Sequence, residues 1–249
     1  MNDLLAVTTR LLRDPNGLID DHDRPVELAR IAPLLLGLTV GGGALFGLMV
    51  GSQKGDIQLL YGAVKMPLLL LAPPLLSLPA VHALYKASGV GVSWPRLSLA
   101  ALAGMARSAI LAAALGPVLW LLYSVNIDYH LAVLLLAGSL GLAGLPGVLS
   151  LLRALPRGGD MRILAGVGSA LLLFFAFAQT GWLLRPFVAR PNAEVSFLRP
   201  IEEDVFSGLG ATSRSAGGDY GGWDVESRGL LAPPAAPAGD PASDDGQPR

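Results

Sequence analysis

The stretch YGAVKMPLLLLAPPLLSLPA, from Tyr61 to Ala80, is almost entirely apolar, yet it also contains one lysine and four prolines. A helix crosses a bilayer core of about 30 Å with about 20 apolar residues, and this stretch is that long. Backbone groups inside lipid must be hydrogen-bonded within the protein, so a spanning segment is a helix or part of a closed barrel. The stretch therefore predicts a transmembrane helix that accommodates Lys65, Pro67, Pro73, Pro74 and Pro79.

Other segments of the chain are as long and as apolar. The sequence predicts five spans, at 31–51, 57–85, 99–123, 131–152 and 163–184. These segments do not alternate in the way that transmembrane β-strands do. The chain is only 15% charged, whereas a soluble domain is about one quarter charged. The predicted fold class is all-α: a polytopic helical membrane bundle with about five transmembrane helices and a disordered C-terminal tail.

The sequence divides into four parts around these spans. Residues 1–29 are predicted to form a cytoplasmic segment with a short amphipathic helix, which lies on the membrane surface or packs against the bundle. Residues 30–185 form the transmembrane domain, and residues 186–206 form an extramembrane segment packed near it. Residues 207–249 are acidic, rich in Pro, Gly and Ala, and predicted to be disordered. The apolar face of the first helix consists of Leu4, Leu5, Val7, Leu11 and Leu12.

Basic residues are concentrated on one side of the predicted bundle. Nine lie on the N-terminal side, whereas the loops of the opposite side contain one, Lys54. Since loops rich in Lys and Arg stay in the cytoplasm, the N-terminus is predicted to be cytoplasmic and the C-terminus outside. Three arginines after the last span, Arg185, Arg190 and Arg199, run against this rule. High contents of Ala, Leu, Gly and Pro, with more Arg than Lys, suggest a GC-rich bacterial genome and hence a bacterial inner membrane. The net charge of −1 does not suggest a nucleic-acid partner.

Prolines of the second span carry one hypothesis about function. Proline removes a backbone N–H and clashes with the preceding turn, so Pro67, Pro73, Pro74 and Pro79 predict a bent or broken helix. Broken helices line substrate sites in transporters. A structural kink is the favoured interpretation, because no other span repeats the pattern.

Two basic residues within the predicted spans, Lys65 and Arg107, carry a second hypothesis. An ionisable group at membrane depth is costly and marks a candidate functional site. The alternative is that both long side chains extend to a nearby interface, and this is favoured because the spans contain no acidic partner. Gln179, near the end of the fifth span, is a candidate for a hydrogen bond between helices.

Catalytic and metal-binding patterns are weak. Asp128 and His130 are two residues apart in the loop SVNIDYH, but a second pair of ligands is missing. The chain has no cysteine, which excludes disulfides and thiolate sites. We predict no enzyme activity, no cofactor and no metal site. Glycines in the first and fourth spans predict close helix packing, within the chain or between copies in a homo-oligomer.

Three runs of sequence resemble the Yip1-like five-span membrane proteins, a family with bacterial members. They are GAVKMPLLLLAPPLLSLP, LGPVLWLLYSVNIDYH and AQTGWLLRPFVARPNAEVSFLRP, and together they cover about a quarter of the chain. The resemblance implies a compact bundle that acts through binding or scaffolding, with no catalytic residues. In the third run, Trp182 and Arg185 are expected at the membrane interface. Val195, Phe197 and Leu198 are expected to pack back onto the bundle.

The sequence thus predicts a membrane scaffold, accessory or membrane-organising protein, in contact with the lipid bilayer and with a protein partner or further copies of itself. The alternative is a small transporter or channel subunit that uses the proline-containing second helix, with Lys65 and Arg107 facing an anionic solute.

Overall fold

The five predicted spans are confirmed. The structure, a computed structural model, describes residues 2–22, 24–53, 55–125, 127, 129–154, 162–185, 187–188, 197–198 and 213. Five of its helices are long and apolar enough to cross a membrane. Apart from Ser213, the predicted disordered tail lies outside the described residues. The helices of the described part are α1 (Asn2–Arg13), α2 (Pro15–Asp21), α3 (Pro25–Gly51), α4 (Ile57–Ala87), α5 (Trp94–Ser124), α6 (Tyr129–Ala154) and α7 (Arg162–Leu183).

Helices α3, α4 and α5 form the centre of the bundle. Helix α3 packs along both α4 and α5, and these two also contact each other. Helix α6 packs on α5 and helix α7 packs on α4, whereas α6 and α7 barely touch. The outward faces are apolar, with exposed residues such as Leu76, Leu145 and Ile163. The protein therefore has a three-helix core with one helix on each flank, surrounded by a surface suited to lipid.

Glycines allow the central helices to approach closely. A Cβ atom added to Gly47 of α3 would overlap the carbonyl oxygen of Gly62 in α4. A Cβ added to Gly42 would lie 2.8 Å from the carbonyl oxygen of Ala109 in α5. Side chains at these positions would push the backbones apart, so the core contact depends on glycine.

Helix α4 is continuous from Ile57 to Ala87 in spite of its four prolines. Of the two outcomes that the prolines predict, a bent or a broken helix, the structure therefore excludes the break. Pro67, Pro73 and Pro74 are buried among neighbouring helices, and the Pro67 backbone packs against Gly43. Breaking the helix would leave further backbone groups without partners in an apolar environment, which costs more than the single bonds that proline removes.

The short helices α1 and α2 pack against α5 at the end of the bundle where α3 begins, which we call the N-terminal side. Leu11 of α1 is fully buried, whereas Leu5 is 63% exposed. The amphipathic helix thus packs against the bundle with part of its apolar face and leaves part open. Arg96 of α5 fixes this end, since it donates to the carbonyl oxygen of Ala154 at 2.9 Å and pairs with Asp20 at 2.6 Å.

Candidate functional site: two cations within the bundle

Lys65 lies within a group of aromatic rings near the side of the bundle opposite α1 and α2. Its side chain is 0% exposed. The Nζ atom lies 5.0 Å from the ring centre of Phe197 and 5.8 Å from the ring centres of Tyr61 and Phe187. An ammonium group over aromatic faces is attracted by their negative potential, and the attraction is stronger when water is excluded. The charge of Lys65 is therefore stabilised by aromatic rings of the same chain.

Gln58 belongs to the same region, because it lies seven residues before Lys65 and so occupies the same face of α4. Its Nε2 atom donates a hydrogen bond of 2.7 Å to the carbonyl oxygen of Phe187. Its Oε1 atom is buried and has no hydrogen-bond partner among the described residues. We call Gln58, Tyr61, Lys65, Phe187 and Phe197 the Lys65 site. It joins the first turns of α4 to residues that follow α7.

This arrangement corrects the expectation that Lys65 extends to the membrane interface. The ammonium group does lie near Tyr61, one turn closer to the start of α4, so the side chain leans towards the helix end. Phe187 and Phe197 cover it there, and it reaches neither water nor headgroups. Phe197, expected to pack on the bundle, lies edge-to-face on Tyr61 at 5.1 Å. Val195 lies outside the described residues.

Arg107 occupies a different environment, between α5 and α6. Its Nη1 atom donates a 2.5 Å hydrogen bond to Oγ of Ser150, and that hydroxyl donates to the carbonyl oxygen of Pro146 at 2.7 Å. Ser150 is buried, whereas Arg107 is partly exposed. The Nε atom of Arg107 is buried, and no described residue forms a hydrogen bond with it. The side chain thus points towards the N-terminal side, as snorkelling predicts, but it ends on a hydroxyl group of the protein.

A close helix crossing positions this pair. A Cβ atom on Gly104 would lie 2.8 Å from the carbonyl oxygen of Gly147, and one on Gly147 would overlap the Ser108 hydroxyl. Because α5 and α6 are antiparallel, Arg107 and Ser150 lie on opposite sides of this crossing, about 9 Å apart along the helix axis. The long arginine side chain extends back past the crossing to reach Ser150. We call Arg107 and Ser150, with the two glycines, the Arg107 site.

The remaining candidate residues are not brought together with either cation. Gln179 is exposed on α7 and bonds to no other helix within the described residues, because α7 packs on α4 with a different face. Arg185, just after α7, lies over the ring of Trp182 in its last turn, with the guanidinium carbon 3.6 Å from the ring centre. His130 lies edge-to-face on the Tyr129 ring, and Asp128 lies outside the described residues.

Cavities next to these helices are apolar. One, of about 280 Å³, is a groove between α3 and α5 lined by residues such as Met49 and Trp120. A second, of about 30 Å³, lies where α4, α5, α6 and α7 meet, and Pro74 is part of its wall. Neither cavity is lined by a charged side chain. No group of three or more His, Asp or Glu residues that could hold a metal ion occurs in the described part of the chain.

The most informative partners of the two cations were missed at the sequence level. Gln58 and Tyr61 could have been found, because both occupy the same face of α4 as Lys65. Phe187 and Ser150 could not, because their contacts depend on which helices pack together. Span lengths and polarity do not determine this packing.

Comparison with known proteins gives no further assignment. No family model, no curated protein and no solved structure matches this chain. The resemblance to Yip1-like proteins therefore rests on the quoted runs of sequence alone. What the fold does establish is an integral membrane protein with five candidate spans in contact with a lipid bilayer.

Proposed function

We propose that this protein is a non-enzymatic scaffold or accessory component of a bacterial inner membrane, with its N-terminus in the cytoplasm. The observation that carries the proposal is that the two cations within the spans have partners from the same chain. The ammonium group of Lys65 is enclosed by rings of the same chain, and Arg107 is held by Ser150. The cavities described above are apolar.

A transporter would require a different environment for these residues. Its substrate path needs polar side chains that face a water-filled cavity near the middle of the membrane. Pro74 is the residue of α4 best placed to report such a path, because it is buried beside the cavity shared by α4, α5, α6 and α7. If water does not reach Pro74, the result supports a protein that acts through packing and partners rather than through a transport path.

The test uses single-cysteine variants. No native cysteine has to be removed first, because the chain contains no cysteine. Pro74→Cys, Lys65→Cys and Arg107→Cys are made separately, and each is treated in membranes with a membrane-impermeant maleimide. Leu5→Cys, on the exposed face of α1, is the positive control. We expect labelling at Leu5 and none at Pro74 or Lys65. Labelling at Pro74 in protein with unchanged thermal stability would instead favour the transporter.

A further inference from the structure

The charge of Arg107 has no acidic partner within the described residues. The ion pairs of that part of the chain join Arg10 to Asp21 and Arg96 to Asp20. Neither α5 nor α6 contains an aspartate or a glutamate. The observed partner, Ser150, is neutral. A guanidinium at membrane depth is costly without a counter-charge, so its position calls for an anion from elsewhere.

The guanidinium group lies in the leaflet on the N-terminal side. Arg107 is the fourteenth residue of α5, about 20 Å along the helix from Trp94. Its side chain extends back towards the start of α5 and ends at Ser150, which is only about 6 Å of helix from the end of α6 at Ala154. The charged group is therefore within reach of lipid headgroups on this side.

A second arginine completes the arrangement. Arg153 lies three residues after Ser150, so the two are neighbours on the surface of α6. Arg153 is exposed and, like Arg107, takes part in no ion pair among the described residues. The hydroxyl of Ser150 is fixed by its bond to Pro146 and holds Arg107 in place. A second positive charge thus lies one helical turn along α6 from the hydroxyl group that accepts from Arg107.

From this geometry we propose that the seam between α5 and α6 binds a phosphate group, that of an anionic phospholipid in the leaflet on the N-terminal side. Arginine suits this role because its planar group can donate two parallel hydrogen bonds to phosphate oxygens. Only one of the five N–H groups of Arg107 is donated to Ser150. Leu149 and Leu145, about one and two turns before Arg153 on the same face of α6, are exposed and apolar, so Arg153 borders the bilayer and the ligand enters from there. Basic sites between transmembrane helices are a recognised mode of anionic lipid binding.

The test compares lipids in nanodiscs that contain the full-length protein. The discs are made of phosphatidylcholine alone or with added phosphatidylglycerol, and native mass spectrometry counts the phosphatidylglycerol retained by the released protein. We expect the native protein to retain phosphatidylglycerol, and Arg107→Gln and Arg153→Gln to retain at least about tenfold less, because each loses a charge-assisted hydrogen bond. Arg30→Gln is the matched control, since Arg30 is exposed on the same side at the start of α3. Its loss should not exceed the roughly fivefold effect of one surface charge.

Two further arms separate the outcomes. In the first, inorganic phosphate is added to the phosphatidylcholine discs and the thermal stability of the protein is measured. If phosphate stabilises the native protein but neither Arg107→Gln nor Arg153→Gln, the same phosphate site belongs to a soluble anion. Arg107→Lys keeps the charge without the planar group, and we expect intermediate retention in a folded protein. Equal retention by the native protein, Arg107→Gln and Arg153→Gln would overturn the proposal. So would a native protein that shows no preference for phosphatidylglycerol.

Discussion

Lys65 and Arg107 occupy similar positions relative to a helix crossing, but the surroundings of their charged groups differ. Lys65 follows Gly62 by three residues and Arg107 follows Gly104 by three, and both glycines lie at crossings where two helix backbones almost touch. Close crossings leave little room for a long side chain between the helices. Each cation therefore extends along its seam towards one end of the bundle.

The difference lies in what each cation meets there. Lys65 meets three aromatic rings, one from α4 and two from residues after α7, and it is completely covered. Arg107 meets a single hydroxyl group and is left partly exposed. The protein thus encloses one charge within its own fold and leaves the other at a surface, which makes the first structural and the second available for binding.

The largest expected effect comes from the crossing that supports the Lys65 site. Gly47→Ala places a methyl group against the carbonyl oxygen of Gly62, so α3 and α4 must move apart. We expect the free energy of unfolding in mild detergent to fall by about 1–3 kcal/mol. Circular dichroism during denaturant unfolding measures it.

Gly41→Ala provides the control for this change within the same helix. Gly41 is exposed, and a Cβ atom there would meet nothing within 4 Å. We expect the free energy of unfolding to stay the same or to rise by up to about 1 kcal/mol, because alanine favours the helix. Equal losses for both variants would show that α3 and α4 do not cross closely at Gly47.

A smaller loss is expected from opening the cover over Lys65. Phe197→Ala removes the ring nearest to Nζ and its contact with Tyr61. We expect the free energy of unfolding to fall by about 1–2 kcal/mol, the range of a partly desolvated cation–π contact. In Leu198→Ala, the neighbouring side chain is 52% exposed, and the change should stay within about 0.5 kcal/mol. If the two variants behave alike, the segment after α7 does not enclose the lysine.

How far the sequence predicts this molecule depends on the range of the interactions involved. The five spans follow from apolar runs, because the bilayer sets the length of a helix and requires its backbone to be hydrogen-bonded within the protein. The cost of a cation at depth singles out Lys65 and Arg107 as candidates from the sequence alone. Their partners could not be predicted, because Phe187 and Ser150 lie more than 40 residues away in sequence and meet them only through helix packing. Proline geometry left both a bent and a broken α4 open, because it does not include the cost of unpaired backbone in an apolar environment.

The smallest expected change in the free energy of unfolding is that of Arg107→Gln, and comparison with Lys65→Gln tests the difference between the two cations. In phosphatidylcholine, Arg107→Gln should change the free energy of unfolding by less than about 1 kcal/mol, because glutamine can still donate to Ser150 and the cost of holding a charge in the membrane disappears. Lys65→Gln should lower it by about 2 kcal/mol, since the ring contacts have no substitute. Both are measured by the same unfolding experiment as the glycine variants. If Arg107→Gln costs as much as Lys65→Gln, the protein itself neutralises both charges, and the distinction between an enclosed cation and an available one fails.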